Sequence, residues 1–361
     1  MSLAAAEKKI RLAHCRVGVV RRRISTLLHE NHVLHQKPVW GRRKPAGARV
    51  LLVVGKGPKT GRLPRLGALV SSQLPLFIAY DPPAGGIWLV KPDGSDAHQV
   101  GPPDGSNPVW SPDATQILYQ APAPQNDQGV TSDLYVMNAD GTDQHPLMPS
   151  AGIIHDPTWG DECCWRDYDF HWSPDGKQII FTNLVQGFTG VEIAHADGSS
   201  ERMVPNTWTG SSASPSPDAS YLAFDVYPEH IVSAASGWSI YVVKQGGTGR
   251  RQLTFGGGVG EPSWSPDGTR IIYGCLGAYD LARGARGVCE LSGKSARQRI
   301  LYMNRNQSLF FHPSWNANGT TILVTLEQGE DGPEQIALMP PSGGPPVKTG
   351  VLIAFGTYPD W

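Results

Sequence analysis

The sequence predicts an all-β chain of repeated antiparallel sheets closed into a ring, preceded by a basic extension. Three observations carry this expectation: two alternating turn motifs, their even spacing, and a composition dense in turn formers. The first motif is clearest at Trp264-Ser265-Pro266-Asp267-Gly268, followed by Ile271-Ile272-Tyr273. Proline presets φ for a turn, aspartate bonds nearby backbone N–H groups, and glycine accepts positive φ. The β-branched and aromatic run that follows suits a buried strand.

Copies recur at Trp172-Ser173-Pro174-Asp175-Gly176 and Trp110-Ser111-Pro112-Asp113-Ala114. Weaker copies are Pro215-Ser216-Pro217-Asp218-Ala219 and Trp315-Asn316-Ala317-Asn318-Gly319, and the chain stops at Tyr358-Pro359-Asp360-Trp361, where another would begin. The second motif is a short apolar strand and then a turn. It appears at Ile87–Gly94, Leu134–Gly141, Val191–Gly198, Ile240–Gly247 and Ile336–Gly343. Asp-Gly and Gly-Gly between apolar runs are strong hairpin signals. One further copy falls between 288 and 304; Val288–Gly293 fits the spacing better and Ile300–Asn304 fits the letters better, so both stay open.

Repeat positions lie about 43 to 62 residues apart, the range of a four-stranded propeller blade. Residues 74–361 divided by six give about 48 per unit. A unit this short cannot cover both faces of its own sheet, so it stacks on neighbours. Radial closure leaves only short protected edges. The expected architecture is therefore a six-bladed β-propeller over residues 71–361. The C-terminal Thr357–Trp361 strand is expected to complete the blade formed by Leu76–Tyr80, Ile87–Val90 and Ala97–Val100.

These motifs resemble the TolB-like family of six-bladed β-propellers, with its Trp-Ser-Pro-Asp-Gly and Ile-Tyr-Val-x-x-x-Asp-Gly repeat. The resemblance covers roughly 74–361. It implies a WD-like repeat protein, periplasmic or secreted, that acts as a scaffold. Similar repeats also occur in propeller domains of serine peptidases and in some polysaccharide lyases. TolB carries a separate α/β domain before its propeller, and residues 1–70 show no matching pattern.

Forty-two Gly and 31 Pro in 361 residues disfavour long helices over most of the chain. The net charge of −1 hides a split: residues 1–70 hold 16 Lys and Arg against only Glu7 and Glu30, and the remainder is strongly acidic. Such asymmetry marks a basic segment attached to an acidic domain. Ala4–Glu30 is expected as a basic helix, and Lys37–Arg65 as disordered. This extension could contact nucleic acid or an acidic membrane surface, serve as a targeting segment, or lie outside the native protein. No apolar stretch is long enough for a transmembrane helix, and no clear signal peptide is visible. A monomer is expected.

Residues 151–171 form an insertion rich in aromatics, acids and His, the type of loop that carries specific contacts on a rigid scaffold. Its candidates are His155, Asp156, Trp165 and His171. A His–Asp pair there could move protons, but hydrogen-bonding within the loop is the commoner role. The residues three before each repeat position, or its equivalent, are Asn107, Asp169, Ser212, Glu261, His312 and Tyr358. This offset should lie near the mouth of the central channel. Asp169, Glu261 and His312 could hold a divalent cation, although ordinary hydrogen bonding in a solvated channel is the commoner outcome. No cofactor is otherwise implied. Turn aspartates such as Asp175 and Asp267 are expected to bond the turn, not to do chemistry.

Cys275 and Cys289 bracket a hairpin and could form a disulfide; two buried free thiols are the alternative. No nucleophile elbow, phosphate loop or dinucleotide fingerprint is present. The leading expectation is a non-enzymatic scaffold binding a protein or extracytoplasmic polymer through loops on one face. The alternatives are a metal-dependent saccharide lyase or lactonase acting at the channel mouth, and an adaptor whose basic tail contacts nucleic acid.

Overall fold

The computed structural model describes all residues except 24–29, 39–44, 57–61, 65–74, 123–132, 148–168, 186–187, 227–237, 256–258, 277–285, 293–295, 305–309, 328–333 and 355–358. The chain opens with one helix, α1 (Leu3–Leu12), then β1 (Arg16–Arg23), β2 (Val33–Lys37) and β3 (Arg49–Gly55). Ser2 caps the helix by accepting the Ala5 N–H. The three strands form a separate sheet in the order β1-β3-β2, with β1 parallel to β3.

Where the residues are described, this corrects the expected basic helix of Ala4–Glu30, since α1 ends at Leu12 and Arg16–Arg23 is a strand. It also corrects the expected disorder of Lys37–Arg65, since Arg49–Gly55 is a strand; 24–29, 39–44, 57–61 and 65 lie outside the described residues. The Val17-Gly18-Val19-Val20 run favours a strand over a continued helix. In β3, alternate residues Val50, Leu52 and Val54 are buried, and Ala6 and Ile10 of α1 pack on them. The helix therefore supplies the cover that this sheet face needs.

Six further sheets follow in chain order. The first holds β4 (Ile78–Tyr80), β5 (Trp88–Val90) and β6 (His98–Gln99). The second holds β7 (Ser106–Trp110), β8 (Gln116–Ala121), β9 (Asp133–Asn138) and β10 (His145–Pro146). The third holds β11 (Phe170–Trp172), β12 (Gln178–Val185), β13 (Phe188–His195) and β14 (Arg202–Met203). The fourth holds β15 (Gly210–Pro215), β16 (Tyr221–Val226), β17 (Ser239–Lys244) and β18 (Arg251–Gln252). The fifth holds β19 (Val259–Trp264), β20 (Arg270–Leu276), β21 (Arg286–Ser292) and β22 (Arg297–Asn304). The last holds β23 (Phe310–Trp315), β24 (Ile322–Glu327), β25 (Glu334–Met339) and β26 (Val347–Ile353).

Every one of these is an antiparallel meander in sequence order. The open choice in the fifth sheet is resolved: Val288–Ser292 belongs to the third strand and Ile300–Asn304 to the fourth. The disulfide joins Cys275 of β20 to Cys289 of β21, with Cα atoms 5.9 Å apart. Among the described residues, no helix is long and apolar enough to cross a membrane.

The core lies between sheets, and six apolar clusters follow the chain around. Leu89 of the first sheet packs with Trp110 and Tyr119 of the second. Leu118 packs with Trp172 and Phe181, and Ile180 with Phe224. Val242 packs with Trp264 and Tyr273, and Ile272 with Trp315. The remaining cluster unites Leu323, Ile336 and Ile353 of the last sheet with Ile78, Tyr80 and Val90 of the first, and with Trp361.

At the C-terminus, Asp360 pairs antiparallel with Ala79 through reciprocal N–H···O bonds of 2.8 and 2.9 Å. The expected Thr357–Trp361 strand reduces to this one bridge among the described residues. Trp361 is 9% exposed, whereas Trp208 on a loop is 49% exposed. Replacing Trp361 with Ala should therefore cost about 3–5 kcal/mol of stability, and Trp208→Ala within about 0.5 kcal/mol. Urea unfolding of the two variants checks this; equal midpoints would remove Trp361 from the closing core.

Candidate functional site at the channel mouth

The first strands of four sheets, β7, β15, β19 and β23, each carry a register shift at the same place, two or three residues before the repeat Trp or Pro215. At that place Asn107, Ser212, Glu261 and His312 adopt φ of 50°, 49°, 58° and 49°. Four non-glycine residues at one repeat offset share the left-handed region, which L-residues seldom enter. A β-bulge re-aims the side chain of the residue it lifts out of the ladder. The offset picked out in the sequence is this bulge.

Three of the expected residues come together. His312 Nε2 lies 3.1 Å from Glu261 Oε1, and its Nδ1 lies 3.5 Å from Asp169 Oδ1. The His312 backbone N–H also donates to Glu261 Oε2. These side chains start from the third, fifth and last sheets, so the contacts run between sheets. Asn107 is tied instead to its own sheet, donating from Nδ2 to Gln120 Oε1 at 2.8 Å. Ser212 is buried beside them in sequence register but forms no part of these contacts in the described geometry. Tyr358, His155, Asp156 and Trp165 lie outside the described residues.

Sequence reasoning missed Asp225. It follows the apolar run Leu222-Ala223-Phe224 in β16 and pairs with Ser211 across the hairpin. Its Oδ1 accepts the Ser211 hydroxyl at 2.5 Å, and its Oδ2 accepts the Glu261 backbone N–H at 3.0 Å. Gly260 permits this approach, since a Cβ there would meet Asp225 Oδ2 at 3.0 Å. The signal was available: four strands end the same run in Gln120, Thr182, Gly274 and Thr325, whereas Phe224 is followed by the ionisable Asp225 and Tyr80 by Asp81.

Burial pushes the Asp225 carboxyl up to about 8, against the two hydrogen bonds and with help from the charges of Asp169 and Glu261. His171, two residues beyond Asp169, is pushed down to about 4 by burial and by His312. Neutral imidazole has one N–H, so His312 donates to both carboxylates only as imidazolium; as neutral imidazole it donates to one and accepts from the other when that carboxyl holds a proton. The site is thus a crowded acidic cluster with His312 between two of its members. Among the described residues, no group of three His, Cys, Asp or Glu is disposed to hold a metal ion. The cation expected on Asp169, Glu261 and His312 meets a physical obstacle: both ring nitrogens already face carboxylates.

No family model matches the chain, and no curated protein matches it. Solved structures do. A TolB-type protein from Agrobacterium tumefaciens aligns with TM-score 0.56 at 16% identity, covering 78% of this chain and 89% of that one. The fold is a TolB-like β-propeller. TolB from Acinetobacter baumannii aligns with TM-score 0.58 at 18% identity over 79% of this chain, which spans 65% of that protein's length. A chain of a nidogen/laminin complex aligns with TM-score 0.53 at 11% identity, covering 79% of this chain and 96% of that one.

Asp225 has a measurable consequence. The folded protein holds its proton up to about pH 8, whereas an ordinary aspartate has a value of 3.8. Between these values the folded state binds more protons than the unfolded one. Stability from this group is therefore present at low pH and lost as pH rises towards 8, at up to about 1.4 kcal/mol per pH unit. The stability of wild type minus that of Asp225→Asn should fall from pH 5 to pH 8. Urea midpoints across that range measure it, and a flat difference would show that Asp225 ionises normally.

Proposed function

We propose that the chain is a non-enzymatic six-bladed propeller scaffold, closed through Asp360 and Ala79, that binds a protein partner at the acidic channel mouth. The observation carrying this reading is that Asp169 and Glu261 meet at His312 while Asp225 is held against the Glu261 backbone. Buried carboxylates in one place repel one another, and an incoming cation relieves that cost. A lysine or arginine on a partner supplies such a cation without displacing His312. The acidic balance of residues 71–361 would steer a basic partner towards the propeller. One fold neighbour comes from a nidogen/laminin complex, so this architecture occurs in a protein–protein assembly.

The Cys275–Cys289 bond and the resemblance to periplasmic propellers favour an oxidising compartment outside the cytoplasm. A metal-dependent enzyme is the competing reading, and it needs His312 to turn away from one carboxylate.

One experiment separates them. Immobilised full-length protein is titrated with a ten-residue oligolysine, alongside the Asp169→Asn/Glu261→Gln variant. Wild type should bind with an affinity that weakens as salt rises, and the variant should bind roughly tenfold or more weakly. Equal binding by the two proteins would reject the channel mouth as the contact. Stoichiometric divalent metal in purified wild type, lost in the variant, would favour the enzyme reading.

A further inference from the structure

Beyond the acidic mouth, the first strands of the sheets lead to a second feature. Their ends surround a cavity of about 400 Å³, walled by Trp110, Trp172, Trp264, Trp315 and Trp361. The residue just before each tryptophan also lines it, namely Val109, His171, Ser263, Ser314 and Asp360, and so does Ser214, which precedes Pro215. The channel therefore ends in an aromatic cup with hydroxyls, one imidazole and one carboxylate.

The carboxylate is the unusual member. Asp360 is partly buried, and its Oδ2 accepts the Trp110 backbone N–H at 2.9 Å. Among the described residues, no lysine or arginine lines the cavity and no cation pairs with Asp360. Burial raises the carboxyl to about 7. The other titratable group in the lining, His171, is held neutral at pH 7 by burial and the nearby His312. The cup thus has one potential negative charge and no positive one.

We propose that this cavity binds an alkylammonium group, seated against Asp360 within the tryptophan wall. The tryptophans are only 5–9% exposed and pack mainly in the inter-sheet core, so they close the wall while the Asp360 carboxylate supplies the attraction for the cation. The volume matches small-ligand sites, and Ser263 and Ser314 supply hydroxyl oxygens for N–H donors. A metal is disfavoured, since only His171 and Asp360 are strong ligands here. An anion would face the carboxylate. The ammonium could be a lysine side chain or a quaternary head group, which share this chemistry. The inference does not depend on partner binding at the mouth, because Asp169, Glu261 and His312 do not line this cavity.

The full chain is titrated at constant ionic strength with n-butylammonium, tetramethylammonium and neutral n-butanol, read by calorimetry and tryptophan fluorescence. At least one cation should bind saturably, n-butanol should not, and affinity should rise as pH goes from 5.5 to 8, because protons compete for Asp360. Preference for n-butylammonium indicates a lysine-like ligand; preference for tetramethylammonium indicates a quaternary one. Asp360→Asn should weaken binding roughly tenfold or more. Ser263→Phe, which fills the cavity and leaves the carboxylate alone, should abolish binding and decides the matter if Asp360→Asn does not fold. The Asp169→Asn/Glu261→Gln variant should bind both cations as wild type does. Binding of n-butanol equal to that of the cations, undiminished binding by folded Asp360→Asn or Ser263→Phe, or no saturable cation binding up to about 100 mM would overturn the proposal.

Discussion

The serine–aspartate turn is the constraint on which the rest of the molecule depends. In four copies the Ser hydroxyl donates to the Asp carboxylate at 2.6 Å: Ser111 to Asp113, Ser173 to Asp175, Ser216 to Asp218 and Ser265 to Asp267. The same Ser oxygen accepts the backbone N–H five residues on, from Gln116, Gln178, Tyr221 and Arg270 at 2.9–3.0 Å. The turn thereby locks the hairpin and its register, and a one-residue slip would turn each core face outward. In the last copy Asn316 replaces Ser, and its Oδ1 accepts both the Thr320 and Thr321 N–H groups. The letters change while the job of satisfying those donors persists.

Because the turn fixes the end of the first strand of each sheet, Trp110, Trp172, Trp264 and Trp315 reach the inter-sheet core. The bulge before the repeat position is then held at constant height. Non-glycine residues at positive φ cost on the order of 1–3 kcal/mol each and persist only where their surroundings enforce them. Here the enforcement comes partly from neighbouring sheets. The Glu261 N–H is held by Asp225 and the His312 N–H by Glu261. Strain and site are therefore one construction, in which a lifted residue exposes its N–H to the acid of the sheet before it.

Much of this was legible in the sequence. Trp-Ser-Pro-Asp-Gly encodes a turn with its own hydrogen bonds, so its copies read directly. The offset of Glu261 and His312 was legible for the same reason. Asp225 was overlooked, because it sits on the second strand, where its height is marked only by the end of the run Leu222-Ala223-Phe224 and not by a turn residue. The N-terminal sheet was also misread. Its strand β1 carries Arg16 and Arg21–Arg23 on mostly exposed positions, so the charge pattern hid a β-branched stretch whose pairing with β3 is parallel and distant in sequence. The insertion candidates His155, Asp156 and Trp165 could not be weighed, since they fall outside the described residues.

Asp225 and Asp360 share an arrangement that would couple a bound cation to assembly of the sheets. Asp225 accepts the backbone N–H of Glu261 in the next sheet, and Asp360 accepts that of Trp110. Asp225 is buried and Asp360 partly so, and burial alone would keep each protonated well above the usual aspartate range. A cation beside either would favour ionisation and so strengthen the inter-sheet hydrogen bond it accepts, since bonds to charged acceptors are the stronger ones. Ligand binding at either aspartate is thus coupled to cohesion between neighbouring sheets, and for Asp360 to the join between the two ends of the repeat. Linkage requires the converse: whatever loosens that join, including loss of Trp361 packing, must weaken a cation held at Asp360 by the same free energy.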